Sequence, residues 1–212
     1  MSLTLTLENG WNFVSLNVLP DDTSISSILP FSKDGDLVKN QTASTRYYGN
    51  AGIWYGTFDR VSPQSAYKIF KNDASQVTVT GTSASHVIVP IYSGWNMIPY
   101  LLSDELPLPD ALSPDSMLEG DTIKSQTSSA RVYKLASGDL IWYGTLDRLR
   151  PGEGYMLQSG LAFGLSYGDR RRLSRLPGNV AAYGGYTMSL IVTGFVAFAV
   201  VRRNVRSDNT MM

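Results

Sequence analysis

The chain has 212 residues, 43 % of them hydrophobic, with 19 glycines, 12 tyrosines and only 17 % charged residues, a mixture that suits strands and turns better than helices. It has no cysteine, which excludes disulfides, thiolate metal sites and cysteine nucleophiles. The formal net charge of zero hides an asymmetry: residues 1–168 carry 11 Lys/Arg against 16 Asp/Glu, a balance of −5, and residues 169–212 carry 7 Arg against 2 Asp, a balance of +5. Nothing in the first 168 residues suits a phosphate backbone, so nucleic acid is not an expected partner.

The chain opens with Leu and Thr in alternation from Leu3 to Leu7. That is a strand pattern, and it lacks the basic start and apolar run of a signal peptide. Gly10-Trp11-Asn12 follows and recurs as Gly94-Trp95-Asn96, 84 positions on. Residues 35–42 recur at 120–127, with Gly-Asp, Lys and Gln-Thr in the same places. Ile53-Trp54-Tyr55-Gly56-Thr57 recurs as Ile141-Trp142-Tyr143-Gly144-Thr145, and Pro63 and Tyr67 return as Pro151 and Tyr155. The matches are collinear. They predict an all-β tandem duplication of a unit of roughly 85 residues, its copies packed as a pseudo-symmetric pair over residues 1–82 and 83–168.

Within each copy, strands are expected over 11–18, from 37 through Tyr47-Tyr48, over 53–55 and over 66–70, with matching strands ending at 154–158 in the second copy. Hairpin turns fall at 49–52 and 137–139, where Gly and Asn allow positive φ. Asp22 to Leu29 has a helix cap and one apolar turn. Prolines 107, 109 and 114 keep any helix in 106–118 short. The join, 76–92, reads as further strands and not as a flexible linker.

The copies resemble a repeat of large β-rich secreted or surface proteins of bacteria and eukaryotic algae. The resemblance covers roughly residues 8–160. Its marks are Gly-Trp-Asn, then Gly120 to Gln126, then Trp142 to Leu146, then Leu149-Arg150-Pro151-Gly152-Glu153-Gly154-Tyr155. The first copy departs at the end, with Gln64-Ser65-Ala66 in place of Gly-x-Gly. The resemblance implies an extracellular or surface role, with no defined activity and no catalytic residues.

The aromatic residues admit two readings, a platform for sugar rings or core and cross-strand contacts. Strand alternation puts Trp and Tyr of Trp-Tyr-Gly on opposite faces. Trp54 and Trp142 are therefore expected in the core, and Tyr55 and Tyr143 at the surface. Lys39 with Gln41 and Lys124 with Gln126 are polar residues on one strand face, open to a ligand role, a solvated role or backbone bonding between strands. These six, Tyr55, Tyr143, Lys39, Gln41, Lys124 and Gln126, are the candidate ligand-binding residues.

Asp34-Gly35-Asp36 and Glu119-Gly120-Asp121 each offer two carboxylates, fewer than the six to eight oxygens calcium takes. An acidic turn is the alternative. His86 is the only histidine, with no nucleophile elbow in the chain. No Walker or dinucleotide motif is present. The expectation is no enzyme, no metal and no cofactor.

In the tail, 169–212, arginine clusters flank an uncharged run from Leu176 to Val201. A single membrane helix over 181–201 is expected. The alternative is a strand of a domain that continues, in which case the protein is secreted. The function expected is a non-enzymatic binding or structural module at a membrane or cell surface, with a glycan, wall polymer or protein as partner. The alternative is an accessory subunit of a membrane complex, anchored by its tail helix.

Overall fold

A computed structural model describes residues 1–167 and the backbone of Tyr186–Ile191 and Phe198–Arg203. The chain divides into two units, Met1–Arg175 and Leu176–Met212. The first unit is all-β. Its strands are β1 (Ser2–Leu7), β2 (Gly10–Ser15), β3 (Val18–Leu19), β4 (Leu37–Lys39), β5 (Ser44–Tyr48), β6 (Ile53–Gly56), β7 (Ala66–Lys71), β8 (Ser75–Thr80), β9 (Thr82–Ser83), β10 (Val89–Ile91), β11 (Gly94–Pro99), β12 (Leu106–Pro107), β13 (Thr122–Lys124), β14 (Ser129–Lys134), β15 (Leu140–Gly144), β16 (Arg148–Leu149), β17 (Gly154–Ser159) and β18 (Phe163–Leu165). Two one-turn helices, α1 (Ile25–Ile28) and α2 (Leu108–Ala111), and a 3₁₀ turn at Pro114–Ser116 complete it.

The two halves have the same strand order. One five-stranded sheet runs β2-β7-β4-β5-β6 and the other β11-β17-β13-β14-β15. A ladder pairs β1 with β8 in the first half, and β10 with β18 in the second. Registers agree at the matched motifs: Gly10 faces Lys71 as Gly94 faces Ser159, and Arg46 faces Tyr55 as Arg131 faces Tyr143. Each half has its own core. One draws its buried residues from Leu3 to Val79, the other from Ala84 to Tyr167.

The repeated motifs have local physical causes. In Gly-Trp-Asn, the glycine takes φ +94° at Gly10 and +102° at Gly94, a region that disfavours other side chains. The asparagine then closes the turn. Asn12 accepts from the Glu8 amide at 2.8 Å and donates to the Glu8 carbonyl at 2.8 Å; Asn96 does the same with Tyr92 at 2.9 and 2.7 Å. The glycine of Trp-Tyr-Gly marks a close strand approach: a Cβ on Gly56 would lie 2.3 Å from the Ser44 carbonyl oxygen, and one on Gly144 2.2 Å from that of Ser129. Ser24 caps α1 by accepting from Ser27, and Pro107 opens α2.

The join is structured, as its sequence implies. β9 pairs with β3, and the Ala84 amide donates to the Asn17 carbonyl at 3.0 Å.

In the second unit, β19 (Tyr186–Ile191) and β20 (Phe198–Arg203) pair antiparallel. The helix expected over 181–201 overlaps these strands in part; the rest of that segment lies outside the described residues. Thr, Ile, Val and Phe in these stretches favour extended backbone. No helix among the described residues is long and apolar enough to cross a membrane.

Candidate functional site: the outer faces of the two sheets

Strand alternation turns one face of each five-stranded sheet to its core and the other outward. On the outer face of the first sheet, the paired registers align Trp11, Phe70, Leu37, Arg46 and Tyr55 in one row across all five strands. A neighbouring row holds Phe13, Lys68, Lys39 and Ser44. In the second sheet the first row is Trp95, Gln158, Thr122, Arg131 and Tyr143. The second is Met97, Met156, Lys124 and Ser129.

Tyr55 and Tyr143 are each 71 % exposed, and Trp11 and Trp95 each 43 %. Lys39 Nζ stands 5.4 Å from the Trp11 ring centroid, and Lys124 Nζ stands 5.1 Å from that of Trp95. Arg46 lies 6.0 Å from the Tyr48 ring and Arg131 6.0 Å from the Tyr133 ring. Tyr48 meets Tyr55 edge-on at 6.4 Å, and Tyr133 meets Tyr143 at 5.9 Å. Each outer face thus carries these two cations seated on aromatic rings, a contact that holds both partners without burying either; the first face adds Lys68 Nζ at 5.4 Å from the Phe13 ring centroid, where the second has Met156 and Met97.

Four of the six candidate residues, Tyr55, Tyr143, Lys39 and Lys124, lie on these faces. The two glutamines do something else. Gln41 donates to the Trp95 carbonyl at 2.9 Å and accepts from the Met97 amide at 2.8 Å. Gln126 donates to the Trp11 carbonyl at 2.7 Å and accepts from the Phe13 amide at 3.0 Å. Each glutamine therefore closes the free edge of the other half's first sheet strand, where main-chain groups would otherwise stand unpaired. Their amides are committed to joining the halves. Trp54 and Trp142 are half-buried and lie against the two cores; Trp142 Nε1 donates to the Leu112 carbonyl at 2.8 Å.

The acidic turns use their aspartates in hydrogen bonds of the fold. Asp36 and Asp121 are buried. Asp36 accepts from the amides of Lys33 and Asn72 at 3.0 and 2.9 Å, and Asp121 from those of Leu118 and Gly160 at 2.9 and 2.8 Å. Asp34 caps the next turn by accepting from the Gly49 amide. Among the described residues no three His, Asp or Glu side chains are grouped as metal ligands would be. His86 sits exposed in the turn before β10.

A cleft of about 270 Å³ lies between the halves, lined in part by Thr6, Asn12, Gln126 and Glu153. Three of these polar groups are already paired: Asn12 in its turn, Gln126 across the halves, and Glu153 with the Tyr155 hydroxyl at 2.8 Å.

Trp11, Trp95, Arg46, Arg131, Tyr48 and Tyr133 belong to the outer faces and were not among the candidates. Alternation from Lys39 and Tyr55 could have found them: Arg46 and Tyr48 recur 85 positions later as Arg131 and Tyr133, in the exposed phase of their strands. No family model, curated protein or solved structure matches the chain.

Proposed function

We propose that the protein is a non-enzymatic binding module, a duplicated β-unit that presents two copies of one aromatic and cationic face to a glycan at a cell surface. One observation carries this reading. Five outer positions are identical in the two halves: Trp11 and Trp95, Lys39 and Lys124, Arg46 and Arg131, Tyr48 and Tyr133, Tyr55 and Tyr143. Four buried apolar or small positions beside them differ, Val14 and Ile98, Val38 and Ile123, Thr45 and Ala130, Ile69 and Leu157, while the buried Asn12 and Asn96, Asp36 and Asp121, and Tyr67 and Tyr155, which make hydrogen bonds of the fold, are kept. A core tolerates such exchanges when volume is kept. An exposed face with no task is freer still, since substitutions there change stability little. Identity at the exposed positions speaks for a task at the surface. Central positions do vary, Leu37 against Thr122, Lys68 against Met156 and Phe70 against Gln158, so the shared part is the frame of Trp, Lys, Arg and two Tyr.

Flat rings beside hydrogen-bonding cations suit sugars, which offer an apolar ring face and a polar rim. In this reading residues 169–212 serve as the tether. Probing immobilised glycans with the full chain and with a Tyr55→Ala/Tyr143→Ala variant tests the proposal. Binding by the parent that the variant loses, with thermal stability kept, is the expected result. Equal binding by both chains places the ligand elsewhere.

A further inference from the structure

We infer that the glycan bound at these faces is anionic, a polymer bearing carboxylate or sulfate groups. The inference rests on the reading of the outer faces as the binding surface and adds the charge of the ligand.

Three observations carry it. The rows that cross the two sheets contain Lys39, Arg46, Lys68, Lys124 and Arg131 and no carboxylate. They lie on a stretch of chain with a balance of −5, so the cations are concentrated on these faces and do not reflect the composition. Next, none of the five belongs to an ion pair among the described residues, whereas Lys33, Arg60, Lys71, Arg148 and Arg150 all do. Last, Lys39 stands directly across from Lys68 on the neighbouring strand. Like charges placed opposite each other weaken a sheet, and an anion between them turns that repulsion into attraction. In the second half the equivalent pair is Lys124 and Met156, so the first face carries the stronger demand for an anion.

The aromatic rings decide the kind of polyanion. Trp11, Tyr55, Trp95 and Tyr143 offer platforms at the ends of the cross-strand rows, fit for sugar rings spaced along a chain. A phosphate backbone tracked over a longer path would meet the acidic remainder of the unit.

The test uses the full chain on an array of uronate-bearing, sulfated and neutral glycans. Binding restricted to the charged glycans, weakening as salt rises, supports the inference. So does a loss of about tenfold in affinity in Lys68→Glu, the scale of one charge-assisted hydrogen bond. The same variant should keep the strand content of the parent by circular dichroism, so that the loss reports on the face and not on unfolding. Binding to neutral glycans as strong as to charged ones overturns the anionic assignment and leaves the face as the site. A thymidine oligonucleotide that binds as well as any glycan overturns it in favour of nucleic acid. Binding to no glycan at all overturns both this inference and the function proposed above.

Discussion

Asp36 and Lys71 form an ion pair with almost no contact with solvent, and the second half has Asp121 and Ser159 in their places. The two aspartates make the same pair of main-chain bonds; the ammonium is present only in the first half. Closing the loop is therefore the shared duty of the carboxylate, and Lys71, which also donates to the Phe31 carbonyl, is an addition. Removing one partner of a buried pair strands the other charge. Asp36→Asn should cost about 3–5 kcal/mol in urea unfolding. Asp121→Asn, which strands no cation, should cost about 1–3 kcal/mol. Equal losses would mean that the Asp36–Lys71 pair adds nothing beyond the main-chain bonds of the carboxylate.

The glutamine clasp predicts a coupled effect. Gln41→Ala and Gln126→Ala each remove two hydrogen bonds to main chain that water can reach, at about 0.5–1.5 kcal/mol apiece. Because each glutamine serves the opposite half, loss of both should weaken the coupling of the halves and broaden the single calorimetric transition of the parent, while the bonds of Ser15 to Gly152 and Glu153 and of Asn17 to Leu102 still join them.

The neighbours in Trp-Tyr-Gly should part ways under mutation. Trp142→Ala loses core contact and a hydrogen bond, and should cost about 3–5 kcal/mol. Tyr143→Ala, on the outer face, should change stability by about 0.5 kcal/mol or less. Trp54 lies on its core without a partner for Nε1, so Trp54→Ala should cost less than Trp142→Ala. Chemical denaturation of the three variants ranks them.

Buried phenols set an alkaline limit. Burial raises the pKa of Tyr67, pushes Tyr100 up to about 12, and raises Tyr155 and Tyr167 as well. In the unfolded chain a tyrosine ionises near 10. A raised folded value means that the stabilisation is whole below pH 10 and is lost as pH rises through the folded values. The melting temperature should hold to about pH 10 and then fall, with the fall reduced in Tyr155→Phe. A flat profile through pH 12 would refute it.

Strands, turns and matched motifs were legible because they depend on neighbours in sequence: alternation, turn glycines, the asparagine four residues after Glu8. Trp142 at its core and Tyr143 in solvent follow from period two alone. For the glutamines, backbone bonding between strands was among the readings the sequence offered, but not the strands they serve, since their targets lie 54 to 115 positions away. Asp36 looked like part of an acidic turn because nothing nearby announces that the chain folds over it or that Lys71 is its partner. The outer arginines escaped because Arg46 and Arg131 stand just beyond the quoted motif, where only a comparison of the two copies in the exposed phase picks them out.

The reciprocal clasp treats its two halves as separate bodies. Every bond in it runs from one copy to the other, and none requires that the copies share a polypeptide. Chains cut at the join could therefore reassemble from two pieces, and uncut chains at high concentration could trade halves with one another. Co-expression of residues 1–83 with 84–212 should return a stable pair on one affinity tag, and Gln41→Ala with Gln126→Ala should weaken it. Surfaces bearing many such chains would then be stitched together by the contacts that join each chain to itself.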